Sequence, residues 1–468
     1  MRMNRAMGIP PWQGWRHGST RVQSRGWKRA VAYDGPFMQP SAPEVTVSAD
    51  EARALQANVW KFYLFRFFVD FQLWLPIWAV YLTDERGLAL WQIGAFDGPF
   101  WILLILLEVP TGAIADRWGR KVSLGYGALV NTIAVIVFGL ASNFGVLLAS
   151  YLVWAAAFTL YSGADSAFVY DSLRAAGREN DFQRLWGRAR AVQAVGAILG
   201  LGLGSLMAEL INLWVPVVAS GGLMGIAWLV SFSFKEPPRL EEGHQQEGYL
   251  AVTKNAFRVA FERPTVRMLM LLMAVVMGIG VSMIILQQPF LSSHDVRYGL
   301  FGFFLMPGQF LSIVAALLAY RIVVAIGVSR LIALMPLVVM GTAAGLGAVD
   351  HVAAFAFYPP TTLMFAMSFV VMADYLNRRI PSATRATVLS IQNMLFSLVV
   401  GVTEILLTAI GDWRGLPTAY WTAAVLVAVT GAPLFALWLR EHRRETLPGE
   451  DPAENVQPDA EPEPAQPP

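Results

Sequence analysis

Residues 108–121 read EVPTGAIADRWGRK. An apolar run, Phe100–Leu107, leads into this stretch, and a second, Val122–Leu140, leads out of it. Between them Asp116, Arg117, Arg120 and Lys121 crowd around Gly119. Charge and a turn-forming glycine between two runs of spanning length predict two membrane helices joined by a tight basic loop.

The rest of the chain extends that pattern. Of 468 residues, 56% are hydrophobic and 15% charged, with a mean hydropathy of +0.49. The apolar residues fall in repeated runs of about 20, the length that crosses a hydrocarbon core of about 30 Å. This excludes a soluble protein. A net charge of +2 carries no signal for nucleic acid. With no cysteine, disulfides, iron–sulfur clusters and thiolate metal sites are excluded. The five histidines, His17, His244, His294, His351 and His442, lie outside the apolar runs or at their edges. No metal and no cofactor are expected.

Twelve spans are predicted, at 59–82, 91–115, 122–141, 144–170, 187–208, 214–234, 268–290, 298–320, 331–349, 352–376, 386–410 and 419–439. The fold class is therefore an all-α polytopic membrane protein. Its expected parts are a disordered tail (1–58), a six-helix bundle (59–234), a linker (235–267), a second bundle (268–439) and a disordered tail (440–468). The first 37 residues are Arg-rich with Asp34 as the lone acid, and no apolar signal-peptide core follows. They read as a cytoplasmic tail, as a transit peptide, or as sequence upstream of a start at Met38. Within the linker, Leu250, Phe257 and Phe261 recur at helical spacing among Lys254, Arg258 and Arg263, predicting a surface amphipathic helix ended by Pro264.

Basic residues set the orientation. One side receives the arginines of the N-terminal tail, Arg117/Arg120/Lys121, Arg174/Arg178/Arg184, Lys235–Arg267, Arg321/Arg330, Arg378/Arg379/Arg385 and Arg440/Arg443/Arg444. The other receives Arg86, Arg297 and Arg414. The positive-inside rule then places both termini in the cytoplasm. The halves also repeat. Tyr170-Asp171-Ser172-Leu173-Arg174 ends span four, and Ala373-Asp374-Tyr375-Leu376-Asn377-Arg378 ends span ten. Arg321–Gly327 with Arg330 is a worn copy of the opening stretch. These matches predict two pseudo-symmetric six-helix bundles, a hallmark of secondary transporters.

Gly112, Asp116, Arg117, Gly119, Arg120 and Lys121 fill every defining position of Gly-x-x-x-Asp-Arg-x-Gly-Arg-Lys/Arg. In this loop of a twelve-span chain, the stretch resembles the signature of the major facilitator superfamily. LPIW at 75–78, YDSL at 170–173 and RATVLS at 385–390 resemble a bacterial exporter-like branch. The resemblance covers roughly 55–440. Two departures stand out: the second-half loop lacks the acidic residue, and span five carries Gly196, Gly200 and Gly204 in place of the Gly-Pro pair of many drug antiporters. The resemblance implies alternating access, with Asp116 contacting the N-terminus of span eleven and Arg120 pairing with Asp171 as a cytoplasmic latch. Gly112 is expected to let helix two approach a neighbour and Gly119 to permit the turn.

Charges inside spans are costly and mark candidate sites. Arg66 and Asp70 lie one turn apart in span one, and Asp97 lacks a basic residue within a turn; these are the candidate proton-coupling residues. Asn131, Gln309, Gln392, Asn393 and Glu404 are the candidate cavity and substrate residues. Trp74, Trp101 and Trp154 either line the cavity or face lipid. No Walker A pattern is present, so ATP coupling is not expected. The implied function is proton-coupled efflux of a small hydrophobic or amphipathic compound by a monomer in a bacterial inner membrane. Uptake or facilitated diffusion of a polar nutrient is the alternative. A polytopic membrane enzyme is the remote one, disfavoured by short outer loops without clustered catalytic groups.

Overall fold

The computed structural model describes residues 47–238, 258, 261–380 and 382–445. The N-terminal leader, the predicted amphipathic segment through 257 and the acidic C-terminal stretch lie outside these residues. Among the described residues the regular structure is helical throughout.

In chain order the helices are α1 (Ala49–Asp70), α2 (Leu90–Trp118), α3 (Arg120–Leu140), α4 (Phe144–Ser162, resuming as Asp165–Ala175), α5 (Phe182–Leu210) and α6 (Trp214–Ser231). They continue with α7 (Pro264–Ser282, resuming as Gln287–Ser293), α8 (Tyr298–Ile326), α9 (Val328–Ala348), α10 (Tyr358–Arg379), α11 (Ser382–Arg414) and α12 (Leu416–Leu426, resuming as Ala432–Arg444). Eleven helices among the described residues are long and apolar enough to cross a membrane. The exception is the first predicted span. In place of one helix over 59–82, α1 starts earlier and stops at Asp70, and the chain unwinds through 71–77 before helical turns at Trp78–Val80 and Tyr81–Glu85. Pro76 supplies no N–H, and Lys61, Arg66 and Asp70 lower the apolar content of the helical piece.

Local chemistry sets the ends. Ser48 Oγ accepts from Glu51 N to cap α1, and Asn143 accepts from Gly145 N and Val146 N to cap α4. Gly119, between α2 and α3, has φ 105° and ψ 153°; Gly327, between α8 and α9, has φ 85° and ψ 146°. Both conformations favour glycine, and the two turns occupy matching places in the sequence repeat.

Among α1–α6, α3 lies against α4 and α6, and α1 against α5 and α6. Among α7–α12, α7 packs on α11 and α12, α8 on α10 and α9 on α12. The two groups meet along α2 with α11 and along α5 with α8. Small residues permit both contacts. A Cβ on Gly98 would come within 3.0 Å of Gly401 O, and one on Gly302 within 2.1 Å of Leu201 O. Gly112, by contrast, has no atom within 4 Å of such a Cβ. The close approach expected of Gly112 is made instead by Gly94 and Gly98, nearer the start of the same helix.

Candidate functional site

The bundle has a tail side, where Ser48 and Arg444 lie, and a far side. On the tail side the signature loop turns at Gly119, and Arg120 Nε donates to Asp171 Oδ2 at 2.8 Å. Asp116 pairs with Arg120 at 3.6 Å and remains 72% exposed. Its expected contact with the start of α11 falls on residues 381–386, whose side chains lie outside those described. A residue of the linker occupies another helix terminus, that of α3. Glu236 Oε1 accepts from Arg120 N at 2.7 Å and Glu236 Oε2 from Lys121 N at 2.8 Å. A carboxylate on two of the unpaired N–H groups that open α3 satisfies hydrogen bonds and the helix dipole together. Lys121 Nζ donates to Phe232 O at 3.0 Å, and Arg117 is exposed.

Arg66 and Asp70 form a buried pair, Nη2 to Oδ2 at 2.9 Å, and Arg66 also reaches Asp165 of α4 at 3.7 Å. Gln193 of α5 donates to Asp70 Oδ1 at 3.1 Å. The cluster thus ties three helices, and its guanidinium lies 5.9 Å from the ring centre of Tyr161, which lines the central cavity.

That cavity lies between the two groups of helices and measures about 380 Å³. Its wall is rich in aromatic side chains, Trp74, Trp101 and Trp154 among them. Gln309 faces it; Gln392 and Asn393 instead line a separate recess of about 340 Å³ in the second half. Asn131 is buried in α3, and neither of its side-chain polar atoms has a hydrogen-bond partner. Among the described residues the charged groups on the cavity wall are Asp97 and Glu404. They come from α2 and α11, one from each half, and face the same cavity. Tyr151 OH donates to Asp97 Oδ1 at 2.5 Å and Trp101 Nε1 to Asp97 Oδ2 at 3.2 Å. Glu404 is 3% exposed.

On the far side the halves are held together by polar contacts. Glu209 at the end of α5 accepts from Gly299 N and pairs with Arg297 at 2.6 Å. Asp84 accepts from Ser292 and Tyr298. Ser205 Oγ accepts from Gly302 N at 2.7 Å. Gln288 of α7 bonds the unwound backbone of the first span, accepting from Ala79 N at 2.6 Å and donating to Leu75 O at 2.9 Å. Reading the sequence alone misses Glu236 and Gln288. The signals available were the Glu-Pro-Pro directly after α6 and the recurrence of a pre-proline position, Leu75-Pro76 and Gln288-Pro289, in corresponding spans.

An all-helical membrane bundle with a cavity enclosed between two halves defines an integral membrane transporter rather than an enzyme. The sequence profile of the Major Facilitator Superfamily matches residues 62–404, and the chain belongs to that family. It is 25% identical over 184 residues to the quinolone resistance protein NorA of Staphylococcus aureus (strain Mu50 / ATCC 700699), covering 39% of this chain and 46% of that protein. The chain thus spans about half the length of these curated relatives. It is 24% identical over 339 residues to the MFS-type transporter YxaM of Bacillus subtilis (strain 168), covering 70% of this chain and 80% of that one. Among solved structures, the nucleoside transporter NupG superposes with a TM-score of 0.69 at 14% identity, over 82% of this chain and 99% of NupG. A D-xylose-proton symporter superposes with a TM-score of 0.62 at 13% identity, over 81% of this chain and 96% of that one. At these identities the superpositions establish the fold alone.

Proposed function

We propose that the protein exports a hydrophobic or amphipathic compound in exchange for protons, with Asp97 and Glu404 as the proton-carrying pair. The observation that carries this reading is that the cavity's two charged groups come one from each half. Alternating access moves the halves apart on one side, which separates the pair. A shared proton stabilises the joined arrangement, and two separated carboxylates favour the parted one, so proton occupancy and conformation are linked. The aromatic wall supplies apolar contact, and the acids, with no base among the described lining residues, favour a positively charged end on the substrate. Likeness to a quinolone resistance protein supports export. The concentration of basic residues on the tail side supports a cytoplasmic location for both ends and an inner-membrane setting, and the far-side contacts between the halves then support a resting state closed toward the outside.

A second reading, uptake of a polar nutrient, draws on Gln72, Gln287 and Gln309 at the cavity wall. Proteoliposomes separate the two. Accumulation of tetraphenylphosphonium in inside-out vesicles, driven by a pH gradient, is expected to fall at least tenfold in Asp97→Asn and in Glu404→Gln. Exchange of labelled for unlabelled probe without a gradient should persist. Accumulation that survives collapse of the pH gradient in the unaltered protein would sink the proton coupling.

A further inference from the structure

We infer that Gln288 is a removable wedge in the first membrane span, holding a helical hydrogen bond open while the far side is closed. In an uninterrupted α-helix, the carbonyl of residue 75 would accept from the N–H of residue 79. Here that pair is split. Ala79 N donates at 2.6 Å to Gln288 Oε1, and Gln288 Nε2 donates at 2.9 Å to Leu75 O. A primary amide offers one acceptor and a donor pair, so it replaces both sides of the missing bond at once. The wedge comes from the other half of the molecule.

The surroundings suit a bond that opens and closes. Pro76 sits inside the split turn, and removing its N–H already weakens the helix there. The displaced carbonyls of Gln72 and Leu73 lie against Gly200 and Gly204 of α5, where an added Cβ would stand 2.8 and 1.9 Å from them. Gln288 itself precedes Pro289 beside a second interruption, the 3-10 turn at Met283–Leu286 in α7. Two proline-marked breaks thus meet between the halves, and residues from both line the central cavity.

When the halves part on the far side, Gln288 leaves with α7. The carbonyl of Leu75 and the N–H of Ala79 then bond to each other, and the first span straightens. Leu75 O and Ala79 N each keep a hydrogen bond in both states, and Gln288 exchanges two protein partners for water in the opened vestibule. A buried polar contact of this kind selects one conformation without trapping it, because an internal partner waits for each released backbone group.

The absence of cysteine makes site-specific spin labelling straightforward. One pair, Leu210→Cys with Asp412→Cys, reports the separation of the far-side ends of α5 and α11. A second, Arg53→Cys with Glu85→Cys, reports the length of the first span. Both are measured on full-length protein in lipid nanodiscs. In Gln288→Leu the closed state leaves Leu75 O and Ala79 N unpaired, so the far-side distance should shift to longer values and the 53–85 distribution should move away from that of the unaltered protein. Gln288→Glu should resemble Gln288→Leu at pH 8, where a carboxylate cannot donate. It should return to the unaltered distribution near pH 5, where the protonated acid both donates and accepts. Asp97, Glu404, Asp84 and His294 are common to all three proteins, so Gln288→Leu and unaltered protein report their share of any pH effect. Three results would overturn the wedge: an unchanged far-side distance in Gln288→Leu, a far-side opening with the first span unchanged in length, or a Gln288→Glu response to pH no different from that of Gln288→Leu.

Discussion

Glu236 shows how one side chain organises the signature loop. Its two oxygens cap the first two N–H groups of α3 while Gly119 makes room, a Cβ there meeting the carboxylate at 2.8 Å. Glu236→Ala should lower stability by about 1 kcal/mol, the usual worth of a helix cap. A drop in the thermal unfolding midpoint of the detergent-solubilised protein measures it, with Glu236→Gln intermediate. Arg66 is the harsher case, because its guanidinium serves two carboxylates whose side chains are only 11% and 14% exposed. Arg66→Met should cost about 3–5 kcal/mol by leaving buried charge unpaired. The deficit in the same assay should shrink on acidification, since protonating Asp70 or Asp165 removes that charge. In both clusters the sequence reveals only part of the site. Arg66 and Asp70 are four residues apart on one helix and readable as a pair, whereas Asp165 and Gln193 join through tertiary packing. Asp97 could be singled out by the cost of a charge in a span. Its partnership with Glu404 depends on the rotations of α2 and α11, which apolar runs do not encode.

At the scale of helices, glycine position decides what can approach what. The motif drew attention to Gly112, yet the contact between α2 and α11 is made through Gly94, Gly98 and Gly401. A motif glycine can serve its loop in one conformational state and be idle in another, so the pattern did not reveal which glycine is packed here. Gly112→Ala should therefore be neutral or stabilising by about 0.5–1 kcal/mol, the helix-propensity gain of alanine. Gly302→Ala should behave in the opposite way, because its Cβ would stand 2.1 Å from Leu201 O, a backbone atom that cannot turn aside. It should hold the far side open and lengthen the distance between spin labels at positions 210 and 412. The Gly196/Gly200/Gly204 stripe was legible as a departure from drug antiporters, but its use was not. It receives the displaced backbone that follows α1, a feature that a span drawn straight from 59 to 82 cannot contain.

For the whole molecule, charge placement and packing make one joint prediction. The basic residues predict a cytoplasmic tail side, while the polar contacts at Glu209, Asp84, Ser205 and Gln288 join the halves on the far side. Impermeant maleimide applied to single-cysteine variants tests both together. Asp116→Cys, at a position 72% exposed on the tail side, should be labelled in inside-out vesicles and protected in intact spheroplasts. Asp350→Cys, at a position 97% exposed on the far side, should show the reverse. Gln309 is exposed and faces the central cavity, so Gln309→Cys reports which mouth is open. Labelling of position 309 from the tail side alone is expected. Adding Gly302→Ala should shift that labelling toward the far side, because the closure it obstructs is the one that separates the cavity from that compartment. If position 309 reacts equally from both faces in the unaltered background, the far-side contacts do not close the cavity, and a single-sided resting state is ruled out.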